Sequence, residues 1–106
     1  MGGIIRVIIA VALLCSLPAV AQAGIRFGPA TCPVPADAAF KVLGARGEVD
    51  GVASEYAWLR KNRPGWRRDR QVLLNRNGRL YDVLDISKGS AKQAICFDIS
   101  DFFGKM

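Results

Sequence analysis

The sequence contains no histidine. That removes Ser–His and Cys–His nucleophile pairs, together with zinc sites that use imidazole. No Cys-x-x-Cys occurs, so the redox and metal chemistry of that motif is missing as well. There is no glycine-rich phosphate loop and no calcium loop of alternating carboxylates. No internal repeat and no low-complexity segment is present. Acidic side chains are scarce, 9 Asp and Glu against 15 Lys and Arg, for a net charge of +6. These absences argue for a chain with no cofactor, no metal and no intrinsic enzyme activity.

What is present begins with a leader. Residues 1–6 carry one basic side chain, residues 7–17 are apolar, and Pro18 breaks the run. Ala21, Gln22 and Ala23 then place small residues where a signal peptidase reads, so residues 1–23 are predicted to be a signal peptide cleaved before Gly24. The alternative is an uncleaved anchor, but the apolar run is shorter than the roughly 20 residues a spanning helix needs. A lipoprotein signal at Cys15 fits less well, because Leu14 stands where a small residue is wanted. The mature part, residues 24–106, has 83 residues and room for one small domain. Export makes the location periplasmic or secreted, where nucleic acid is not an expected partner.

A domain this small benefits from a covalent staple. Two cysteines remain after cleavage, Cys32 and Cys96, and an even pair in an exported chain reads as a disulfide. Closing a loop of that size, about 65 residues, stabilises by roughly 4 kcal/mol in the chain-entropy view.

The strongest local signal is Asn77-Gly78 between two apolar runs, a two-residue hairpin turn whose central residues both need positive φ. It sets Arg76 opposite Arg79, Leu74 opposite Tyr81 and Val72 opposite Val83. Strands are predicted over residues 67–76, 79–87 and 92–100, the last two joined by a three-residue turn at Lys88, Gly89 and Ser90. That turn would place Ile95 opposite Val83 and Phe97 opposite Tyr81. One face would then hold Val72, Leu74, Tyr81, Val83, Ile95, Phe97 and Ile99. The other would hold Leu73, Leu80, Leu84, Ile86 and Cys96.

Ahead of the hairpin, residues 48–62 form a helix. Val49, Val52, Ala53, Tyr56 and Leu59 make its apolar stripe, acids open it, bases close it, and Pro64-Gly65 ends it. Trp58 falls off the stripe. Ala36, Ala39, Phe40 and Leu43 at helical spacing, with Pro35 before and Gly44 after, predict a second, short helix. Ile25 and Phe27 alternate with Arg26 as a short edge strand would. The expected architecture is α+β: one main helix and a short N-terminal helix packed on a three-stranded antiparallel meander. The helix stripe would cover the first sheet face. The second is too apolar to be fully wet, so the N-terminal segment, the short helix or a partner should cover part of it, and that face or the Phe102-Phe103 tail would dock a protein partner.

The order of helix, Pro64-Gly65 and meander resembles the PepSY-like and cystatin-like domains of bacterial exported proteins. The resemblance is carried by Gly78-Arg79-Leu80-Tyr81-Asp82-Val83, by Phe97-Asp98-Ile99 and by Gly89 between the second and third strands, over about half of the chain. Residues 58–66 (WLRKNRPGW) and 97–105 (FDISDFFGK) are also similar to small exported proteobacterial proteins that carry no assigned activity. PepSY kinship implies a binding or inhibitory module without catalysis.

Charge supplies the candidate site. Arg60, Lys61, Arg63, Arg67, Arg68, Arg70, Arg76 and Arg79 gather over twenty residues against Asp69 alone, with Trp58 and Trp66 among them. Arginine suits bidentate contacts to phosphate or carboxylate. The candidate binding set is Arg60, Arg63, Trp66, Arg67, Arg68, Arg70, Arg76 and Arg79, and its partner would be an anionic lipid or glycan. The competing reading is a solvated basic face that keeps a small protein soluble. One carboxylate pair, Asp82 with Asp98, sits on neighbouring predicted strands, with Asp85 and Asp101 nearby. Solvated strand positions are the simpler account of it.

Overall fold

A computed structural model describes residues 24–104. The predicted signal peptide lies outside them. The chain is α+β, with strands β1 (Arg26–Pro29) and β2 (Ala38–Leu43), helix α1 (Glu48–Asn62), and strands β3 (Arg67–Arg76), β4 (Arg79–Lys88) and β5 (Ala91–Asp98). The strands form one five-stranded sheet in the order β1-β2-β5-β4-β3. The meander β3-β4-β5 is antiparallel, β2 runs parallel to β5, and β1 is antiparallel to β2. The expected three-stranded meander is therefore only part of a mixed sheet.

The hairpin forms as its turn dictates. Asn77 has φ 54° and Gly78 φ 82°, the left-handed pair a type I′ turn requires. Arg76 pairs with Arg79, Leu74 with Tyr81 and Val72 with Val83. The next turn departs from expectation. Lys88 pairs with Ala91, leaving two residues in the loop rather than three. That one-residue slip moves every β5 side chain to the opposite face. Leu84 now faces Ile95, and Val83 faces Cys96.

The faces are consequently reassigned. Helix α1 covers Leu84, Ile86, Ile95, Phe97 and Ile99, joined by Val42, Leu59 and Phe102 in one buried cluster. Tyr81, Val83 and Cys96 lie on the other face, under Cys32, Val34, Ala36 and Ala39. The face expected to lie away from the main helix, with Leu84 and Ile86, is the one beneath it.

The predicted short helix at residues 35–43 is strand β2. Its Ala38, Phe40 and Val42 alternate toward the α1 side, while Ala39 points toward the disulfide. Pairing with β5, Ala38 on Ile95 and Phe40 on Phe97, decides between two periodicities that six residues cannot separate. Asp37 fixes the entry: its N–H donates to the Ala94 carbonyl, and its carboxylate accepts the Ala94 N–H, both at 2.8 Å. The edge strand near residue 26 is present as β1, and its Phe27 joins Phe40, Trp58 and Phe97 in an aromatic cluster with ring centroids 4.9–6.3 Å apart. Trp58 is thus half-buried because β1 and β2 cover it.

Helix α1 has the predicted bounds but a different buried line. Gly51, Ser54, Glu55 and Leu59 face inward, whereas Val49 is 86% exposed. A small-residue line lets the helix come close: a Cβ on Gly51 would collide with the Phe102 ring. Phe102 is 0% exposed, so half of the expected aromatic tail belongs to the core. Phe103 remains exposed. The tail is tied down where the Gly104 N–H donates to the Glu48 carboxylate at 3.1 Å. Cys32 and Cys96 form the expected disulfide, Cα to Cα 6.2 Å. Among the described residues no helix is long and apolar enough to cross a membrane.

Candidate functional site

A β-bulge builds the candidate site. Arg68 pairs with Ile86 and Arg70 with Asp85, leaving Asp69 as the extra residue. The bulge resets the alternation of β3, so Arg68 shares the α1 side of the sheet with Gln71 and Leu73. Arg60 and Arg63 reach the same place from the last turn of α1 and the residue after it, and Trp66 from the Pro64-Gly65 turn. Gly65, at φ 83°, carries the reversal. Together Tyr56, Leu59, Arg60, Arg63, Pro64, Gly65, Trp66, Arg68 and Ile86 line a cleft of about 430 Å³.

Two of the cleft's three arginines, Arg63 and Arg68, are held in place by aromatic rings and amides. The Arg68 guanidinium lies 3.9 Å from the Tyr56 ring centroid and that of Arg63 5.3 Å from Trp58, cation–π distances in each case. Arg63 also donates from Nε to Gln93 Oε1 at 2.8 Å and from Nη1 to the Asn62 carbonyl. Among the described residues none of the three makes a salt bridge.

The other predicted arginines separate from this group. Arg67 pairs with Asp69 at 2.8 Å and Arg70 with Asp85 at 3.0 Å. Arg79 donates to Asp98 Oδ2 from both Nε and Nη2, at 3.1 and 2.7 Å. Burial pushes the Asp98 carboxyl upward, but the bonds from Arg79 and Ser100 outweigh it and hold it below the usual carboxylate range. Arg76 and Arg79 sit at the hairpin end, roughly 30 Å from Arg67 along an extended ten-residue strand. The eight-residue candidate set thus contracts to Arg60, Arg63, Trp66 and Arg68.

The suspected carboxylate pair is not a pair. Asp82 stands opposite Phe97, and Asp98 opposite Tyr81, so the two project from opposite faces of the sheet. The carboxyl that meets Asp82 is Glu55, from the buried side of α1. Glu55 is 0% exposed and Asp82 nearly as buried. Neither Glu55 oxygen has a hydrogen-bond partner, and the Asp82 carboxyl is the polar group acting on it. Burial first, and Asp82 second, push the Glu55 pKa up to about 10, which keeps it protonated at neutral pH. Gln71 Nε2 donates to Asp82 Oδ2 at 2.7 Å, and the Tyr56 hydroxyl donates to Gln71 Oε1 at 3.0 Å. A polar chain therefore runs from the buried acid to the ring on which Arg68 stacks. The sequence marks none of this except Glu55 itself, a charged residue between Ser54 and Tyr56 in mid-helix.

Among the described residues no group of three or more potential metal ligands occurs. No protein-family model, no curated protein and no solved structure matches the chain.

Proposed function

We propose that the chain is an exported, non-catalytic binding module whose partner is anionic and docks at the Arg60–Arg63–Arg68 cleft. The observation that carries this reading is the convergence of three guanidiniums without a carboxylate on one cleft, while Arg67, Arg70 and Arg79 are neutralised by aspartates. Export rests on the leader pattern of residues 1–23, and the Cys32–Cys96 disulfide agrees with an oxidising compartment. The PepSY-like order of elements fits a binding or inhibitory role. Residues 24–106 would act as one mature domain.

The rival idea, an apolar sheet face or aromatic tail docking a protein, has less to work with: Leu84, Ile86 and Phe102 lie in the core, and Leu73 and Phe103 are the large apolar side chains of those surfaces that stay exposed. A catalytic role has lost its carboxylate pair, and the carboxyl that does meet Asp82 is shut away from solvent.

Co-sedimentation with vesicles of phosphatidylcholine and phosphatidylglycerol tests the reading. Exposed charges are screened beyond about 8–10 Å in ordinary buffer, so capture should fall steeply as salt rises. It should collapse in Arg60→Glu/Arg68→Glu. Capture that ignores both salt and charge reversal defeats the proposal. For export, mass spectrometry of protein from its native host should find a chain starting at Gly24. Retention of Met1 in an envelope fraction would instead make the leader an anchor.

A further inference from the structure

We propose that the cleft recognises one chemical class of anion, a phosphomonoester, rather than negative charge in general. The proposal rests on the anion-binding reading and deepens it. Three formal positive charges, Arg60, Arg63 and Arg68, line the cleft, and no acidic residue lines it with them. The neighbouring groove along β3 differs, because its Arg67, Arg68 and Arg70 are interleaved with Asp69. A third groove holds Asp37, Asp69 and Asp85 against Arg70 and Lys92. Only the first of these three surfaces is built of cations without their own counter-charge.

Charge number selects the ligand. A carboxylate or phosphodiester brings one negative charge and leaves two guanidiniums uncompensated. A phosphomonoester brings up to two charges and three terminal oxygens at neutral pH. Planar guanidiniums match that group in bidentate fashion. Geometry also selects. Arg68 is flattened on Tyr56, whose hydroxyl is fixed by Gln71, and Arg63 is bound through Nε and Nη1. Both side chains are then left with little freedom to lose on binding. Leu59, Ile86 and Trp66 give the same cleft an apolar wall. That wall suits the organic stem of an ester and thins the water around the charges.

Two sources supply this chemistry: a soluble sugar phosphate and a phosphorylated lipid headgroup. Calorimetry with glucose 6-phosphate reports the first. Vesicles containing phosphatidic acid report the second, compared with phosphatidylglycerol vesicles of equal surface charge. The expected result is binding of at least one phosphomonoester, with phosphatidic acid preferred over matched phosphatidylglycerol if the lipid is the source. Arg68→Lys keeps the charge but loses the planar fork, and should weaken phosphomonoester binding about tenfold or more. Arg60→Lys supplies a second, independent variant, and Arg70→Gln should leave binding unchanged. Equal capture of both lipids, with no response to Arg68→Lys and no binding of glucose 6-phosphate, overturns the phosphomonoester proposal and leaves the general anion reading standing. Absence of binding to every anionic probe overturns both.

Discussion

Glu55 on α1 meets Asp82 on β4 inside the helix–sheet interface, one carboxyl neutral and buried against another. A sheet-facing helix rarely spends its central position on an acid.

The pH dependence follows from that pairing. Glu55 has an ordinary pKa of 4.5 and a folded value of about 10. Its contribution to stability is full below the ordinary value. As pH rises, the unfolded chain gives up a proton that the folded chain keeps, so stability falls by up to about 1.4 kcal/mol per pH unit until the folded value is passed. Asp98, with its lowered pKa, works in the opposite sense and loses its contribution as pH falls below its ordinary 3.8. Denaturant melts across pH should therefore show greatest stability in mild acid and a steady decline toward alkaline pH.

Glu55→Gln should flatten the alkaline decline. An amide stays neutral at all pH values. The gain at neutral pH should be on the order of 3 kcal/mol. Urea titrations of both proteins at acid, neutral and alkaline pH check this. A variant that is no more stable at alkaline pH than the parent contradicts the buried-acid assignment.

Gly51→Ala should destabilise the protein although alanine is the better helix former. The propensity gain is about 1 kcal/mol. Overpacking against Phe102, a buried ring with nowhere to retreat, costs about 1–3 kcal/mol. Adding Phe102→Leu should recover part of the loss. A double-mutant cycle measures the coupling, and additive effects would show that the two positions do not meet.

Removing the disulfide with Cys32→Ala/Cys96→Ala should cost roughly 2–4 kcal/mol. For a domain of this size that amounts to a fall in Tm of more than about 10 °C. Calorimetric scans with and without reductant check it, and non-reducing peptide mapping should find the two residues linked.

Charge reversal should divide the arginines into two groups. Arg60→Glu and Arg68→Glu should each cut capture of anionic vesicles severalfold. Arg67→Gln and Arg70→Gln should barely change it, since each is already paired with an aspartate. Arg79→Gln should act on stability instead, because it strips the nearly buried Asp98 of its partner.

Local signals carried much of the fold. Asn77-Gly78 forces positive φ at both positions, so the hairpin register could be read directly. The ends of α1 are written in Glu48, Asp50, Arg60, Lys61 and Pro64-Gly65. The disulfide was legible because Cys32 and Cys96 are the cysteines left once Cys15 is assigned to the predicted leader. What stayed hidden depends on contacts distant in sequence. Residues 38–43 fit a helix stripe and a strand alternation equally well until β5 is placed beside them. Gly89-Ser90 accepts a loop of two or three residues, and a single residue inverts β5. The candidate site was legible as a basic cluster but not as a cleft. Its selection needs the bulge at Asp69 and the aspartates that pair with Arg67, Arg70 and Arg79. Glu55 was missed because an acid on a helix ordinarily faces water.

The parallel pairing of β2 with β5 has a consequence for how the chain reaches its fold. Positions 38 and 95 become neighbours, whereas β3, β4 and β5 are joined by tight turns alone. Local pairings close quickly and distant ones slowly. The meander is thus expected to form early, with the seating of β2 as the slow step. Cys32 and Cys96 bridge the same junction, so oxidation before β2 docks shortens the search for that partner. Oxidation afterwards only locks a junction already made. For a chain folding in an oxidising compartment, the thiol pair would act as a timer on assembly as much as a staple.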